Sequence, residues 1–463
     1  MTAVSSVEVV DSVRDLPDSA LRLLAGAGSL YAAPDWLAYC EASAGGTIRL
    51  VLLRGKGSEE VVGVAAVRRV EDDQVMPLYN LESLLARPLA PTHPSLVAAV
   101  SGGYCVLAVA GDDPGLRSRR RAALAKAVVA HADAEEYAAT GFLYLPADDA
   151  VEVATACGPD FGEPFLVAAR AVLPGGWPDF EGYLSTLPSP RRNKIRRERK
   201  QFAAAGITTR VLHGADELGE ESARLQLALR ERYGVAGSIE AILRDYDHLR
   251  AHVDHRLRVF LSEKDGVPIG LCLALVDGED LHLRLAGFDY AAVGSDFAYF
   301  NVVYYEPIEW GIRNGIRSYH FGTGTYRAKT ARGCRLEPTY AVVRWPGDAR
   351  SDHTAQARDR AAELAVELGL DLQGDRVGLP LQHRPPPREA RRKREEPVEQ
   401  HHPGPGEALE LPHVHQLVAQ DLVPRTVRPC LGHHSPVRRR SQRGRHDRRH
   451  RRRFPGALAR GLG

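Results

Sequence analysis

Two stretches of this chain concentrate side chains suited to an anionic substrate or to charge that develops during a reaction. The first is Ser189-Pro190-Arg191-Arg192-Asn193-Lys194-Ile195-Arg196-Arg197-Glu198-Arg199-Lys200. It predicts a helix begun by Pro190 behind a Ser189 cap, because proline suits the first helical position. Arg192, Arg196 and Arg199 then fall at i, i+4 and i+7 on one face, with Ile195 and Phe202 on another. Such a cationic row suits phosphate oxygens, and it equally fits a solvated face beside a core stripe. The second stretch runs from Phe300 to Tyr340. It predicts a helix carrying Tyr304, Tyr305, Glu306 and Glu309, and a strand ending at His320. A glycine-punctuated loop follows, with Tyr326, Arg327, Lys329 and Arg332. Loops after strand ends are where rigid scaffolds present reactive groups. A lysine there can orient an anionic leaving group or neutralise developing charge. The structural alternatives are loop-surface charges at Lys329 and Arg332, a core aromatic at Tyr305 and a satisfied strand-end histidine at His320.

Several other chemistries lack their motifs. There is no G-x-S-x-G, H-E-x-x-H or G-x-x-x-x-G-K-[ST], and no G-x-G-x-x-G after a strand. The six cysteines never approach C-x-x-C spacing, and His252/His255 and His401/His402 have no companion ligands at metal spacing. Free thiols, no metal and a cytoplasmic setting are the expectation. The longest uncharged stretch, Pro88 to Gly111, is broken by Pro91, Pro94, Gly102 and Gly103, so no membrane span is expected. The opening residues lack the basic and apolar regions of a secretory signal.

The elements that must position these residues read as mixed α/β. Strands are expected at 47–55 and 60–70, then near 104–110, followed by a helix near 116–136 and a strand at 142–145. The pattern recurs with strands at 257–263, 267–276 and 281–288, a helix near 300–314 and a strand at 318–321. Helices precede each meander, at 19–25 and 35–42, then at 189–205 and 220–233. The offset is about 208 residues: Ile48 to Leu257 is 209 and Val62 to Ile269 is 207. Chance repetition of a common motif competes with true duplication. We divide the chain into halves at residues 1–171 and 172–350, near the Pro174–Pro178 cluster, with a helical extension at 351–380.

The net charge of +2 averages two unlike segments. Residues 381–463 hold 18 Arg and one Lys against eight acids, a balance of +11, whereas the first 380 residues carry −9. With 11 prolines and no apolar periodicity, this tail is expected to be disordered. A polyanion-binding arm, an inert extension and an out-of-frame reading of high-GC coding sequence all fit its composition.

The order "apolar strand, Gly287-Phe288-Asp289, helix with Tyr304-Tyr305 and Ile308-Glu309-Trp310, strand, Phe321-Gly322-Thr323-Gly324, then Tyr326 and Lys329-Thr330-Ala331-Arg332-Gly333" resembles the GNAT superfamily. More narrowly it resembles Fem-type aminoacyltransferases and GNAT-like peptidoglycan-biosynthesis proteins. The Ser29–Leu37 stretch and the basic helix at Arg191–Lys200 are similar to features of that branch. The resemblance covers residues 7–345. It implies two tandem GNAT-like halves with mostly antiparallel sheets, and transfer of an acyl or aminoacyl group to an amine. Acetyl-CoA enzymes of the superfamily cradle pyrophosphate on a glycine-rich helix N-terminus. The equivalent segments here, Asp289–Asp296 and Gly111–Gly115, are acidic. The resemblance therefore implies aminoacyl-tRNA as donor, with acyl-CoA and a non-catalytic RNA-binding role as alternatives. It implies no bound cofactor and a small amine, peptide or nucleotide-linked acceptor. On this reading Lys329, Tyr305 and His320 are catalytic, and Arg192, Arg196, Arg199, Tyr326 and Arg332 bind substrate.

Overall fold

A computed structural model describes residues 4–44, 47–71, 78–85, 91–293 and 297–370. The tail at 381–463, and the end of the helical extension beyond residue 370, lie outside the described residues. The first half runs β1 (Val4–Val10), α1 (Asp18–Ala25), α2 (Pro34–Ser43), β2 (Ile48–Gly55), β3 (Val61–Val70), β4 (Ser95–Ala98) and β5 (Leu107–Val109). It continues through α3 (Pro114–Ala134), β6 (Ala139–Leu145), α4 (Ala147–Cys157) and β7 (Phe165–Pro174). Next come α5 (Phe180–Ser185), α6 (Ser189–Ala204), β8 (Ile207–His213), α7 (Glu220–Arg232) and α8 (Ile239–Val253). The second meander is β9 (Leu257–Lys264), β10 (Val267–Asp277) and β11 (Asp280–Phe288). It leads to α9 (Ala298–Phe300), a π-helical turn at Asn301–Tyr305, α10 (Glu306–Arg313) and β12 (Ser318–His320). The last elements are α11 (Tyr326–Thr330), β13 (Arg335–Arg344) and α12 (Arg350–Leu368).

The expected mixed α/β architecture is present, and the repetition is visible in how strands pair. Among the described residues the strands form one sheet in the order β1-β2-β3-β4-β6-β13-β7-β12-β11-β10-β9-β8, with β5 beside β3. Its parallel neighbours are β4 with β6 and β11 with β12, which are equivalent positions in the two halves. The order of equivalent strands is a palindrome, and at its centre β13 sits beside β6 and β7 beside β12. Each half has handed its final strand to the other. The division between residues 171 and 172 falls within β7. An expected consequence is that residues 172–350 expressed alone fail to fold, because β12 and β13 lose the partner strand they share. Amide-proton dispersion of that fragment, compared with residues 1–370, checks this.

Three cores hold the sheet. One lies under α3, α4 and α12, and a third under α5, α6 and α10. The middle one joins the halves: Leu24, Trp36 and Leu50 pack in one cluster with Ile242, Leu249, Val259 and Leu273. Gly311 sets how closely α10 approaches β12, since a Cβ there would lie 2.5 Å from the Tyr319 ring and hydroxyl. Tyr319 in turn donates from its hydroxyl to the Ile308 carbonyl at 3.1 Å.

Candidate active site

The basic helix α6 begins one residue earlier than its sequence suggests. Ser189 is its first residue and Pro188 its N-cap, with no side-chain cap. Ile195 and Phe202 are buried, as the apolar spacing requires, and Glu198 lies on the same face, fully buried. A carboxylate without solvent needs a partner. Tyr305 donates its hydroxyl to Glu198 Oε2 in a short hydrogen bond, and Arg332 Nη2 lies 3.5 Å from the same oxygen. Arg332 Nε also donates to Tyr305 Oη at 3.2 Å, and its Nη1 donates to the Ala328 carbonyl at 2.9 Å. The guanidinium stacks 3.7 Å above the Phe300 ring. Burial, together with the Glu198 charge, drives the Tyr305 phenol pKa far up, so it stays protonated.

The π-helical turn delivers Tyr305 to this cluster. Pro307 has no N–H to offer the turn before it, and its ring obstructs a regular ladder, so the backbone opens by one residue at Asn301–Tyr305. Tyr304 and Tyr305 are thereby both fully buried. Phe297 just ahead has φ 59°, and Thr325 on the facing loop has φ 46°, both left-handed without being glycine. Left-handed, non-glycine backbone thus stands on both sides of this buried cluster.

Lys329 occupies its own cage. It sits on α11, fully buried, and its ammonium donates to the carbonyls of Thr323 at 2.8 Å and Gly322 at 3.3 Å. Burial lowers its pKa to about 7, opposed by the Cys334 thiol. The ammonium thus ties the Phe321–Thr325 loop to the helix behind it. Arg332 follows within the same turn, its N–H donating to the Lys329 carbonyl at 2.9 Å.

The other expected site residues are dispersed. Tyr326 is buried and accepts the Ala169 N–H at 3.0 Å, joining α11 to β7. Arg192 donates to the Leu187 carbonyl at 2.7 Å. Arg196 pairs with Glu181 at 2.5 Å, and Arg199 pairs with Glu309 while lying 4.2 Å over the Phe180 ring. The expected cationic row is therefore largely engaged, whereas Arg191, Lys194, Arg197 and Lys200 have no ion pair with a described residue. His320 points away from Tyr305. Its neighbour Tyr319 packs in the core that holds Tyr305, so the alternation of the strand turns His320 to the opposite face, where it stacks on His282. Glu198 was missed as a site residue. Its signal was available: it is the acid at i+3 from Ile195 and four before Phe202, on the apolar face of an otherwise basic run.

In the described part of each segment equivalent to a pyrophosphate cradle, a carboxylate accepts backbone N–H groups. Asp289 Oδ1 accepts from the N–H groups of Ala291 at 2.9 Å and Ala292 at 3.2 Å. Residues 294–296 of that segment lie outside the described residues. In the first half Asp113 caps α3, accepting from Leu116 N–H at 2.7 Å. A cleft of about 540 Å³ opens beside this cap, lined by Arg22, β5, Arg117, Arg121 and Asp149. Two of its arginines are engaged: Arg117 donates to the Gly111 carbonyl at 2.8 Å, and Arg121 pairs with Asp149 at 2.8 Å and Glu152 at 2.5 Å. No described helix is long and apolar enough to cross a membrane.

A family model described as peptidoglycan biosynthesis/recognition, FemAB-like, matches residues 103–358, somewhat over half of the chain. No curated protein matches significantly. Among solved structures the chain is similar to FemX, with 15% identity and a TM-score of 0.48 over 72% of this chain and 96% of that one. It is similar to L-PGS from Bacillus licheniformis, with 13% identity and a TM-score of 0.46 over 74% and 96%. A tandem GNAT protein from the clavulanic acid biosynthesis pathway gives 13% identity and a TM-score of 0.43 over 74% and 100%.

Proposed function

We propose that this chain, which belongs to the FemAB-like family of peptidoglycan biosynthesis and recognition, moves an aminoacyl group from aminoacyl-tRNA to an amine on a cell-wall precursor. It is an acyltransferase; donor, acceptor and residue roles are what the proposal adds. The observation that carries the donor assignment is the carboxylate held at each of these segments: Asp113 caps α3, and Asp289 accepts from the N–H groups of Ala291 and Ala292. A diphosphate there would meet occupied N–H groups and negative charge.

The reaction joins an amine to an ester carbonyl and expels the ribose 3′-oxygen. Charge develops on the carbonyl oxygen and then on the leaving oxygen. Lys329 is the group we assign to both. With its pKa near 7 it holds a proton that it can surrender to the leaving alkoxide and, as the neutral amine, recover from the nitrogen that has attacked, which leaves a neutral amide and a free 3′-hydroxyl. Donor binding displaces the Gly322 and Thr323 carbonyls from its ammonium, and the flanking Gly322 and Gly324, both at positive φ, let that loop move. Glu198, Tyr305 and Arg332 form the wall that fixes α6 against the loop, and so act by positioning. Arg191, Lys194, Arg196, Arg197 and Lys200 offer the phosphate-facing surface of α6; the exposed Arg196–Glu181 pair yields readily to a phosphate. His320 and Tyr326 take no part in the step. We place the protein in the cytoplasm, where charged tRNA is found.

Incubation of the full chain with charged tRNA and a nucleotide-linked muropeptide is expected to add one aminoacyl residue to the peptide amine, read by mass spectrometry. Calorimetry with CoA is expected to show no micromolar binding. Micromolar CoA affinity together with absent aminoacyl transfer overturns the donor assignment in favour of an acyl-CoA enzyme.

A further inference from the structure

Across the sheet from this site, the parallel pairing of β11 with β12 brings Asp280, His282 and His320 together. The register sets His282 opposite His320 and Asp280 opposite Ser318, so the three side chains emerge on one face. Their ligand atoms all lie within 4.8 Å of one another. The two imidazoles stack with centroids 4.3 Å apart, and Asp280 Oδ2 is 3.7 Å from His320 Nε2. His282 is only 4% exposed, yet neither of its ring nitrogens has a hydrogen-bond partner. Two unsatisfied buried nitrogens in one side chain are uncommon, because leaving such groups unpaired costs about 1–3 kcal/mol each.

The geometry points to a divalent transition-metal site, with zinc its simplest occupant, held by His282, His320 and Asp280. Two imidazoles and a carboxylate are a common ligand set for such ions. Ligand atoms around a tetrahedral ion stand about 3.3 Å apart, so the cluster must close by up to about 1.5 Å and His320 must turn out of the stack to bring its ring plane onto the ion. His320 and Asp280, whose side chains are 27% and 42% exposed, have room to turn toward His282. Their exposure leaves the fourth position open to water. Nearby cations are engaged elsewhere. Arg256 pairs with Asp35 and Asp277, each at 2.6 Å, and Arg284 lies 4.9 Å over the Trp36 ring. Glu337 adds negative charge near His320.

The test uses the full chain, stripped with chelator and titrated with Zn²⁺ by calorimetry and with Co²⁺ by visible absorption. Nine histidines in residues 381–463 are shared by every variant, so the comparison isolates this site. His320→Asn and Asp280→Asn, both at partly exposed positions, are expected to remove one binding equivalent or weaken it at least about 100-fold. They should also lose the intense tetrahedral Co²⁺ bands. Equal stoichiometry, affinity and spectra in wild type and both variants overturn the site, as does a wild-type chain that binds neither ion.

Discussion

Replacing Lys329 with methionine is expected to lower kcat/KM for aminoacyl transfer by about 10²–10³-fold or more, the loss seen when one preorganised oxyanion donor is removed. The same substitution should change how stability depends on pH. In the folded chain burial holds the Lys329 pKa at about 7, whereas an exposed lysine titrates near 10.5. Between those values the unfolded chain binds more protons than the folded one, so stability rises with pH across that window. Below about pH 7 both states carry the proton and the contribution is flat. The stability of wild type relative to Lys329→Met should therefore climb between pH 7 and 10, by at most about 5 kcal/mol. Parallel profiles from denaturant melts would show that the ammonium is not destabilised by its cage. Lys329→Arg separates charge from proton transfer: it keeps a cation that does not deprotonate, so recovered activity without a titrating limb near pH 7 would leave only electrostatic stabilisation.

The strands and helices around this lysine were legible because their signals are local. Asp265-Gly266 and Asp277-Gly278 announce two turns, and β-branched runs on either side become β9, β10 and β11. The offset between Val62 and Ile269 likewise matched two meanders whose parallel pairs occupy equivalent places. The exchange of β7 and β13 was not legible. Strand β13 mixes Arg335, Glu337, Pro338 and Thr339 with its apolar residues, and which neighbours the two strands take is decided by non-local packing. Helix α8 was missed since its long polar stretch, Asp245 to His255, hides a buried face of Ile242, Tyr246, Leu249 and Val253. At the site, Lys329, Tyr305 and Arg332 were visible as residue types, but their burial was not. The π-helical turn explains part of that. A regular 3.6-residue period through Pro307 does not bring Tyr304 and Tyr305 inward together. The Arg192, Arg196 and Arg199 row was read from helical spacing, which reports a shared face but says nothing of Glu181 and Glu309 waiting opposite it.

Glu198→Ala is expected to destabilise the fold by about 3–5 kcal/mol, the penalty for leaving a buried charge without its partner. The stranded group is Arg332, 3% exposed, whose remaining contacts are Tyr305 Oη, a carbonyl and aromatic faces. Glu198→Gln preserves shape and an acceptor for Tyr305 but removes the countercharge, so its loss should fall between wild type and alanine. The double variant Glu198→Met/Arg332→Met deletes both charges and should recover most of the stability, since apolar replacements of a whole buried pair are often neutral. If the three variants melt in that order, the pair serves to fix α6 against the loop, not to supply net stability. The consequence for transfer then separates two roles. A positioning wall predicts that the stable double variant keeps the pH limb contributed by Lys329 while kcat/KM falls, because the loop and helix no longer hold one geometry. A direct chemical role for Glu198 predicts instead that the double variant loses the pH limb although its fold and Lys329 are intact. Pre-steady-state transfer across pH 6–9 distinguishes the two, and the closed Tyr305–Glu198–Arg332 geometry, with every member buried, favours the first.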